Sequence, residues 1–478
     1  MFLQLYDGVL RIYEMKLQIS KNANINFLSM IVEIKEFVKH PDPKVERIKC
    51  AVVDGFIITV GIDSEPGLYV YFPVLSQINA QLLQYLNLYR NKVLNANPEK
   101  TGYFEDKGIV KAINLRGVKS EGFLMPIIDL QNFIVDQVNV ELTTPEPNTE
   151  FDEIEHDGKT FWISRKYIAP VQRNSGAPGS SKEKKKHKGL DKIIDEQFRF
   201  HYDTTLIKKC PHVIKPDDII HISSKWHGTS GISAYILCHK VLSWKEKIAK
   251  WLTGNPFDVY DYVYSSRTVI KNRFYNEKVT DGYYGCDVWK YADDYIKPFL
   301  IKGMTIYYEI VGYLPNGGWI QKNYDYGCVP PTVFENGQVQ YIQGKHFKVL
   351  VYRITLTNVD GQVHEFSAHE VHTWCKQRNI LCAIEYYYGK ASTLYPELMI
   401  KENWEEDWNS KFLNALANDK SFNMEQDSPE CNNKVPHEGL VIKIENMKSE
   451  AFKLKCFKFL GIEQDAALAG EANIEDQS

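Results

Sequence analysis

One short segment of the sequence carries the residue types of a covalent nucleophile. In residues 219–237, IIHISSKWHGTSGISAYIL, a β-type run delivers Lys225 into a tight turn at residues 227–230. A lysine amine attacks phosphorus only when it is unprotonated, and with a pKa near 10.4 only about one amine in a thousand is neutral near pH 7.4. Partial burial, nearby cations or a metal ion would lower that pKa, because each penalises the ammonium form. Alone, such a lysine is more simply explained as a solvated surface charge.

Charged residues near the end of the chain could assist such a nucleophile. Glu438 begins the run EGLVIKIE, and a carboxylate is the hard ligand that a magnesium ion prefers during phosphoryl transfer. Lys453 and Lys455 alternate on a predicted strand, so they share one face and both can approach a phosphate. Taken singly, Glu438 could be a turn carboxylate and the two lysines an exposed strand face.

Six segments follow one another in a fixed order, and together they resemble a known set of motifs. They are K-x-H-G-T-S from Lys225, SRT at 266–268, YYEIVG at 307–312, FKVLVYRI at 347–354, EGLVIKIE at 438–445 and KLK at 453–455. This succession resembles motifs I, Ia, III, IIIa, IV and V of the covalent nucleotidyltransferase superfamily, which contains polynucleotide ligases and mRNA capping enzymes. His227 stands where DNA ligases and capping enzymes commonly carry Asp. With His at this position, the motif is similar to that of the RNA-ligase branch.

The resemblance implies an ATP-dependent RNA ligase in which Lys225 takes AMP from ATP and releases pyrophosphate. In that family Lys453 and Lys455 are catalytic cations, and Glu438 is associated with Mg²⁺ or Mn²⁺. The adenylate is then passed to an RNA 5′-phosphate, which a 3′-hydroxyl attacks. These steps seal a 3′-OH/5′-phosphate break or nick.

The resemblance also implies a set of nucleotide-binding residues, which includes the catalytic residues Lys225, Glu438, Lys453 and Lys455. Beyond these, Glu309 contacts the ribose and Tyr352 stacks on adenine, Arg267 suits the ribose edge or the incoming 5′-phosphate, and His227 and Gly228 shape the turn. The chain departs from the family pattern at two places. Ser230 stands where some RNA ligases have Asn, and Arg353 where others have Asp.

The distribution of segments predicts an α+β protein of two domains. Short β-type runs with turn residues between them at 48–53, 56–60, 68–72 and 109–115 suggest a small N-terminal barrel, and 77–94 a helix. Later strands are expected at 219–223, 233–237, 305–311, 349–356 and 440–444, and helices at 243–252, 369–378 and 404–417. By resemblance, the first domain is an OB-like barrel and the second a nucleotidyltransferase domain with ATP-grasp-like antiparallel sheets and flanking helices.

We predict five divisions of the chain. They are an N-terminal extension at 1–29, an OB-like nucleic-acid-binding domain at 30–170, a basic flexible linker at 171–190, an adenylyltransferase domain at 191–460 and an acidic, frayed tail at 461–478.

Two sets of basic residues are candidates for contacting an RNA or an RNA-containing nicked duplex. Lys111, Arg116 and Lys119 lie on the predicted barrel, and Lys184, Lys185 and Lys186 lie in the linker. The ordinary alternatives are a solvated strand face and a tether extended by its own charge. Because 57 Lys and Arg are outweighed by 61 Asp and Glu, any nucleic-acid contact must come from such local patches.

Composition narrows the class of protein. Of the 478 residues, 44% are hydrophobic and 25% charged, which is typical of a globular protein. No apolar run approaches the ~18 residues of a membrane helix, and Asp7 and Glu14 interrupt any signal-peptide core, so we expect no membrane partner. Nine cysteines without a CxxC pair favour reduced thiols in the cytoplasm or, in a eukaryote, the nucleus. The oligomeric state stays open.

Two other functions remain alternatives at this stage. A capping-type guanylyltransferase would use the same lysine but label with GTP and not with ATP. A non-catalytic RNA-binding protein would use only the OB-like half, although it would have no need of Lys225, Glu309, Glu438, Lys453 and Lys455 together.

Overall fold

The structure is a computed structural model that describes most of the chain. The described residues are 4–6, 9–11, 16–138, 145–156, 158–169, 192–240, 242–253, 258–271, 284–333, 339–400, 404–445 and 450–470. The chain separates into two compact units. The first comprises Met1–Pro170, Thr205–Val213 and Leu460–Glu471, and the second Val171–Thr204, Ile214–Phe459 and Ala472–Ser478. The predicted linker at 171–190 lies outside the described residues.

The first unit consists mainly of short strands. Its strands are β1 (Gln4–Tyr6), β2 (Val9–Arg11), β3 (Lys16–Gln18), β4 (Ser29–Ile34), β5 (Val38–Lys39), β6 (Ile48–Val53), β7 (Phe56–Gly61), β8 (Gly67–Phe72), β9 (Ser76–Ile78), β10 (Ala112–Leu115), β11 (Val118–Glu121), β12 (Phe123–Pro126), β13 (Glu150–Phe151), β14 (Glu153–His156), β15 (Lys159–Trp162), β16 (Ser164–Lys166) and β17 (Thr205–Leu206). Its helices include α1 (Ala80–Tyr85) and α2 (Ile127–Val138).

The strands of the first unit form several separate antiparallel sheets. The largest has the order β12-β8-β4-β13, and two three-stranded sheets have the orders β15-β14-β3 and β5-β6-β7. Among the described residues no sheet closes into a barrel, so the expected OB-like barrel is not confirmed. The sequence pattern from which the barrel was expected is alternation along the strands. In β7, for example, Phe56 and Ile58 are buried while Ile57 is exposed. Such alternation predicts a half-buried strand, which an open sheet uses as readily as a barrel.

The second unit contains longer strands and most of the helices. Its strands are β18 (Ile219–Lys225), β19 (Thr229–His239), β20 (Asp258–Ser266), β21 (Met304–Gly312), β22 (Thr332–Val333), β23 (Val339–Gln340), β24 (Phe347–Thr357), β25 (Val363–Glu365), β26 (Glu385–Lys390), β27 (Gly439–Ile444) and β28 (Glu450–Lys455). Its helices are α3 (Trp244–Thr253), α4 (Val288–Ile296), α5 (Ala368–Arg378), α6 (Ala391–Leu394), α7 (Trp404–Asn418) and the start of α8 (Phe457–Ala469).

Two antiparallel sheets organise the second unit. One contains β28, β27, β18 and β26 in that order, and the other has the order β20-β19-β21-β24-β25. Strand β21 is buried along its whole length, as expected for a central strand of β-branched and aromatic residues. Its side chains join α4 and α5 in one apolar core around Trp289, Tyr308 and Trp374. The α+β class and the antiparallel sheets are therefore confirmed.

Most predicted elements of the second unit occur close to their expected positions, including β18, β21, β24, β27, α3, α5 and α7. Two expectations were wrong. The helix expected at 77–94 is only α1, because Asn87 adopts a left-handed backbone conformation with φ 59° soon after it. The tail predicted to fray from residue 461 is helical as far as Ala469. Among the described helices, none has the length and apolarity to cross a bilayer.

Candidate active site

Strand β18 places Lys225 at the edge of a pocket within the second unit. Ile220 and Ile222 point away from the pocket and are fully buried, which fixes the strand's orientation. His221, Ser223 and Lys225 line the pocket, and Ser224 and Trp226 also line it where the strand approaches the turn. The end of β18 and the turn after it therefore place the lysine at the cavity.

The amine of Lys225 contacts a carboxylate from a distant part of the chain. Its Nζ lies 2.5 Å from Oε1 of Glu438, a residue 213 positions later. The lysine side chain is 19% exposed and the glutamate side chain 2% exposed. β18 and β27 are neighbouring antiparallel strands, and Lys225 pairs with Gly439. Strand register therefore creates the contact between lysine and carboxylate.

Gly439 joins three strands at this point. It pairs with Lys225 on β18 and with Lys455 on β28. Its backbone has φ +143°, and a Cβ at this position would collide with the carbonyl oxygen of Leu454 and meet Lys455 Cα at 2.9 Å. Only glycine fits such a conformation and such a close approach.

The segment before β27 holds Glu438 in place. Ser224 Oγ lies 3.1 Å from Nε2 of His437, whose side chain is buried. Burial lowers the pKa of His437, which favours the neutral imidazole. The hydroxyl of Tyr324 donates to the carbonyl oxygen of Pro436 at 2.9 Å. These contacts position the carboxylate before any ligand binds.

An aromatic stack fixes the turn that follows Lys225. Trp226 stacks on Tyr326 with ring centroids 4.4 Å apart and an angle of 17° between the rings. The Tyr326 hydroxyl oxygen accepts a hydrogen bond from the His227 backbone N–H at 2.6 Å. Burial, then the charge of Glu438, raises the pKa of Tyr326 well above its usual value. At Gly228, a Cβ would collide with the carbonyl oxygen of Ile310.

The opposite wall of the pocket carries Glu309 and Tyr352. Glu309 lies on β21, is buried, and accepts a hydrogen bond from Ser230 Oγ at 3.1 Å. Tyr352 lies on β24 and its hydroxyl is 3.2 Å from His201 Nδ1. Burial, followed by the charge of Glu309, raises the pKa of Tyr352, so its ring is a neutral phenol that offers a flat face.

Two arginine–carboxylate pairs complete the pocket wall. Arg267 hydrogen-bonds Asp203. Arg353 donates from Nη2 to Glu365 Oε2 at 2.8 Å. The Arg353 guanidinium also lies 4.9 Å from the ring centroid of Tyr202 and 4.5 Å from that of Tyr307. The aromatic contacts and the fork geometry hold this cation in one orientation.

Lysines from β27 and β28 add positive charge. Lys453 lines the pocket, and Lys455 lies with its Nζ 5.4 Å from the ring centroid of Phe459. Lys443 also lines the pocket and donates to the carbonyl oxygen of Phe366 at 2.9 Å. Five lining side chains are Lys or Arg and three are Asp or Glu, so the wall suits an anion such as a polyphosphate.

The pocket brings together part of the predicted set and separates the rest. Lys225, Arg267, Glu309, Tyr352 and Lys453 line it. Four further predicted residues lie beside or behind this lining, namely His227, Gly228, Glu438 and Lys455. Of the RNA-binding candidates, Lys111, Arg116 and Lys119 belong to the first unit, and Lys184, Lys185 and Lys186 lie outside the described residues.

The RNA-binding candidates of the first unit lie at one hairpin. Lys111 directly precedes β10 and lies 3.3 Å from Glu105, with 22% of its side chain exposed. Arg116 occupies the turn between β10 and β11 and is 67% exposed. Lys119 follows on β11. The structure leaves the RNA-binding role of these residues a proposal.

Sequence reasoning assigned no role to Arg353, Lys443 and the histidines of the pocket. Arg353 was visible only as a departure from the motif beside Tyr352. His221 is 6% exposed, and burial, followed by the charges of His372 and Lys443, lowers its pKa to about 3. The alternation of β18 could have indicated His221, since it lies on the same strand face as Lys225.

No family model and no curated protein sequence matches this chain. Solved structures of Naegleria gruberi RNA ligase do match. A mutant with AMP and Mn is 13% identical, with a TM-score of 0.49, over 92% of this chain and 99% of that one. The ligase with PPi is 15% identical, with a TM-score of 0.49, over 92% and 100%. The backbone of this chain therefore resembles that of those RNA ligase structures. Similarity at this level assigns no role to any residue.

Proposed function

We propose that this protein is an ATP-dependent RNA ligase that forms a covalent lysyl-AMP intermediate at Lys225. The observation that carries the proposal is the Lys225 amine, held 2.5 Å from the buried Glu438 at the edge of a positively charged pocket. This lysine is not a solvated surface charge, because its side chain is 19% exposed and that of its partner 2% exposed. The ordered sequence motifs support the same assignment.

In the first step the Lys225 Nζ–phosphorus bond forms as the bond between the α-phosphorus and the bridging oxygen breaks, and pyrophosphate leaves. A neighbouring carboxylate favours the ammonium form of a lysine, so a proton must leave before attack. Glu438 Oε1 lies within hydrogen-bond distance of that proton and is suited to receive it. We propose that Lys453 and Lys455 stabilise the negative charge that develops on the phosphate.

The carboxylates suit a divalent cation. Glu438 and Glu309 are buried, and their oxygens are the hard donors that Mg²⁺ and Mn²⁺ take. When bound, such an ion would neutralise triphosphate charge. Glu438 is the residue that we expect to hold it.

The remaining pocket residues would bind the nucleotide. Tyr352 offers a ring for adenine stacking, a contact worth about 1–3 kcal/mol per base. Glu309 and Arg267 suit the ribose hydroxyls and a phosphate. His227 and Gly228 would act through the shape of the turn, where the aromatic stack and the close approach to β21 fix the backbone.

Ligation then needs an RNA end or an RNA-containing nick. AMP passes from Lys225 to the 5′-phosphate, and the 3′-hydroxyl attacks that phosphorus with AMP as the leaving group. We further propose that the first unit binds the RNA as an OB-like domain would, and that Lys111, Arg116 and Lys119 contact it. The exposure of Arg116 at a hairpin turn is consistent with a backbone contact.

The test is incubation with α-labelled ATP and magnesium. Wild type should form a covalent labelled adduct that survives alkali but is cleaved by hot acid, as expected for a phosphoramidate, and Lys225→Ala none, while the exposed Lys376→Ala should label like wild type. Labelling by GTP and not by ATP would replace the proposal with a capping-type guanylyltransferase. RNA binding without an adduct from either nucleotide would leave a non-catalytic binder, and an adduct that persists in Lys225→Ala would contradict the role of this lysine.

A further inference from the structure

A second cluster of chemically active side chains lies along β18, away from Lys225. It contains His221 on β18, His372 on α5 and Glu385 at the start of β26. One ligand atom from each residue lies within 4.8 Å of those of the other two. His221 Nε2 is 3.3 Å from Glu385 Oε2. About 3.3 Å is also the separation of two ligands bound tetrahedrally to a zinc ion at ~2.0–2.1 Å.

His221 is poorly explained by its protein contacts. It is 6% exposed, and its Nε2 is a buried atom that makes no hydrogen bond to any described residue, despite its closeness to Glu385. A buried polar atom without a hydrogen bond destabilises the fold, because it has lost its contacts with water and gained none in return. A metal ion bound by the nitrogen lone pair would remove that cost.

The second histidine has a partner that would orient it. Cys382 Sγ lies 3.7 Å from Nδ1 of His372, within range of a hydrogen bond to sulfur. Metal-binding histidines usually donate their other ring N–H to an acceptor, which leaves the remaining nitrogen for the ion. A proton on Nδ1 would thus leave the Nε2 lone pair of His372 available.

Three regular elements hold the cluster. β18 and β26 are adjacent antiparallel strands, with Ser223 opposite Glu385 and a register shift after Ile222. Helix α5 begins with a capping box between Ser367 and Glu370 and supplies His372 one turn later. Ligands on strands and a capped helix are positioned before an ion arrives.

We propose that His221, His372 and Glu385 bind a zinc ion at this end of the pocket. Two imidazoles and one carboxylate are a donor set of zinc sites that keep a fourth position open, unlike the oxygen donors suited to magnesium. His221 and His372 also line the pocket, so the open position would be reached from it. His221 and Lys225 are four positions apart on the strand, or about 13 Å, so the zinc lies away from the reacting phosphorus.

The test measures metal binding without nucleotide, so its result is independent of lysine adenylylation. The full chain is stripped with a chelator, titrated with Co²⁺ as a visible-absorbing probe, and then titrated with Zn²⁺ in competition. We expect one tetrahedral Co²⁺ per chain, displaced by Zn²⁺. Cys382→Ala should weaken binding by about 10–100-fold through loss of the orienting contact. His372→Ala and Glu385→Gln should weaken it at least as much.

A matched control lies on the same helix. His369 is exposed and three residues from His372, so His369→Ala should bind metal like wild type. Circular dichroism and melting of the metal-free variants verify their folds, and Glu385→Gln, an isosteric change at an exposed position, serves if His372→Ala is unstable. Binding that is absent in wild type, or unchanged in both ligand variants, would overturn the proposal.

Discussion

Two cation–carboxylate pairs lie at the same pocket of the second unit and differ in the type of cation and in its surroundings. Lys225 meets Glu438 through a short contact of 2.5 Å. Arg353 meets Glu365 at 2.8 Å and is also held by the rings of Tyr202 and Tyr307. One cation is a point charge on a flexible stem, and the other is a fixed planar fork.

The difference teaches which pair suits bond formation and which suits recognition. A lysine amine can lose its proton and become a nucleophile, whereas an arginine stays charged at any physiological pH. The carboxylate beside the lysine must therefore accept a change of charge, while the one beside the arginine does not. We expect substitutions in the first pair to change the rate of adenylylation, and those in the second to change nucleotide affinity.

The largest effect is expected from Lys225→Arg. This change keeps a cation beside Glu438 but removes the amine that can be deprotonated. Adenylylation should fall by at least about 10³-fold, as for the loss of other covalent nucleophiles. Labelled-adduct formation measures the rate, and thermal melting establishes that the fold is kept. Retained labelling would mean that the two pairs do not differ as described.

A smaller effect is expected from Glu438→Gln. The amide keeps the size of the side chain but cannot receive the lysine proton, so adenylylation should fall by about 10²-fold. The loss should shrink as pH rises, because more of the lysine amine is then deprotonated without assistance. The control is Glu397→Gln at an exposed position, which should label normally. A pH-independent loss would contradict the role of Glu438 as proton acceptor and leave metal binding as its role.

The smallest effect is expected from Arg353→Lys. Lysine keeps the charge but lacks the planar guanidinium, and its contacts with the two aromatic rings are weaker. The affinity for ATP should fall about tenfold, or by about 1.4 kcal/mol. The KM for ATP should rise about tenfold with kcat nearly unchanged. Arg378→Lys on α5, exposed and packed on Trp374, is the matched control. A change in kcat alone would place Arg353 with Lys225 as a participant in the chemistry.

The sequence predicted the strands that carry the site. It also predicted that Lys225 and Glu438 act in the same reaction, but not that their side chains are in contact. Lys225 and Glu438 were both recognisable from motif order, and the contact between them arises because β18 and β27 are neighbours. The α+β class followed from strand and helix periodicity. These signals are local, so a single sequence carries them.

Other features could not be predicted because they depend on tertiary contacts. The pairing of Arg353 with Glu365 arises where β24 and β25 lie side by side, and neither residue has a local signature. The cluster of His221, His372 and Glu385 comes from two strands and a helix far apart in sequence. Closure of the N-terminal strands could not be decided either, since half-buried alternation is common to sheets and barrels.

Gly439 has a consequence for the tolerance of the site to mutation. Gly439 has no side chain and pairs with Lys225 on β18 and with Lys455 on β28. It therefore connects the backbone at the nucleophile to the strand that carries Lys453 and Lys455. A variant library ranked by closeness to the nucleotide would pass over this position. Yet any larger residue there would push apart neighbouring strands and misalign several functional groups in a single step.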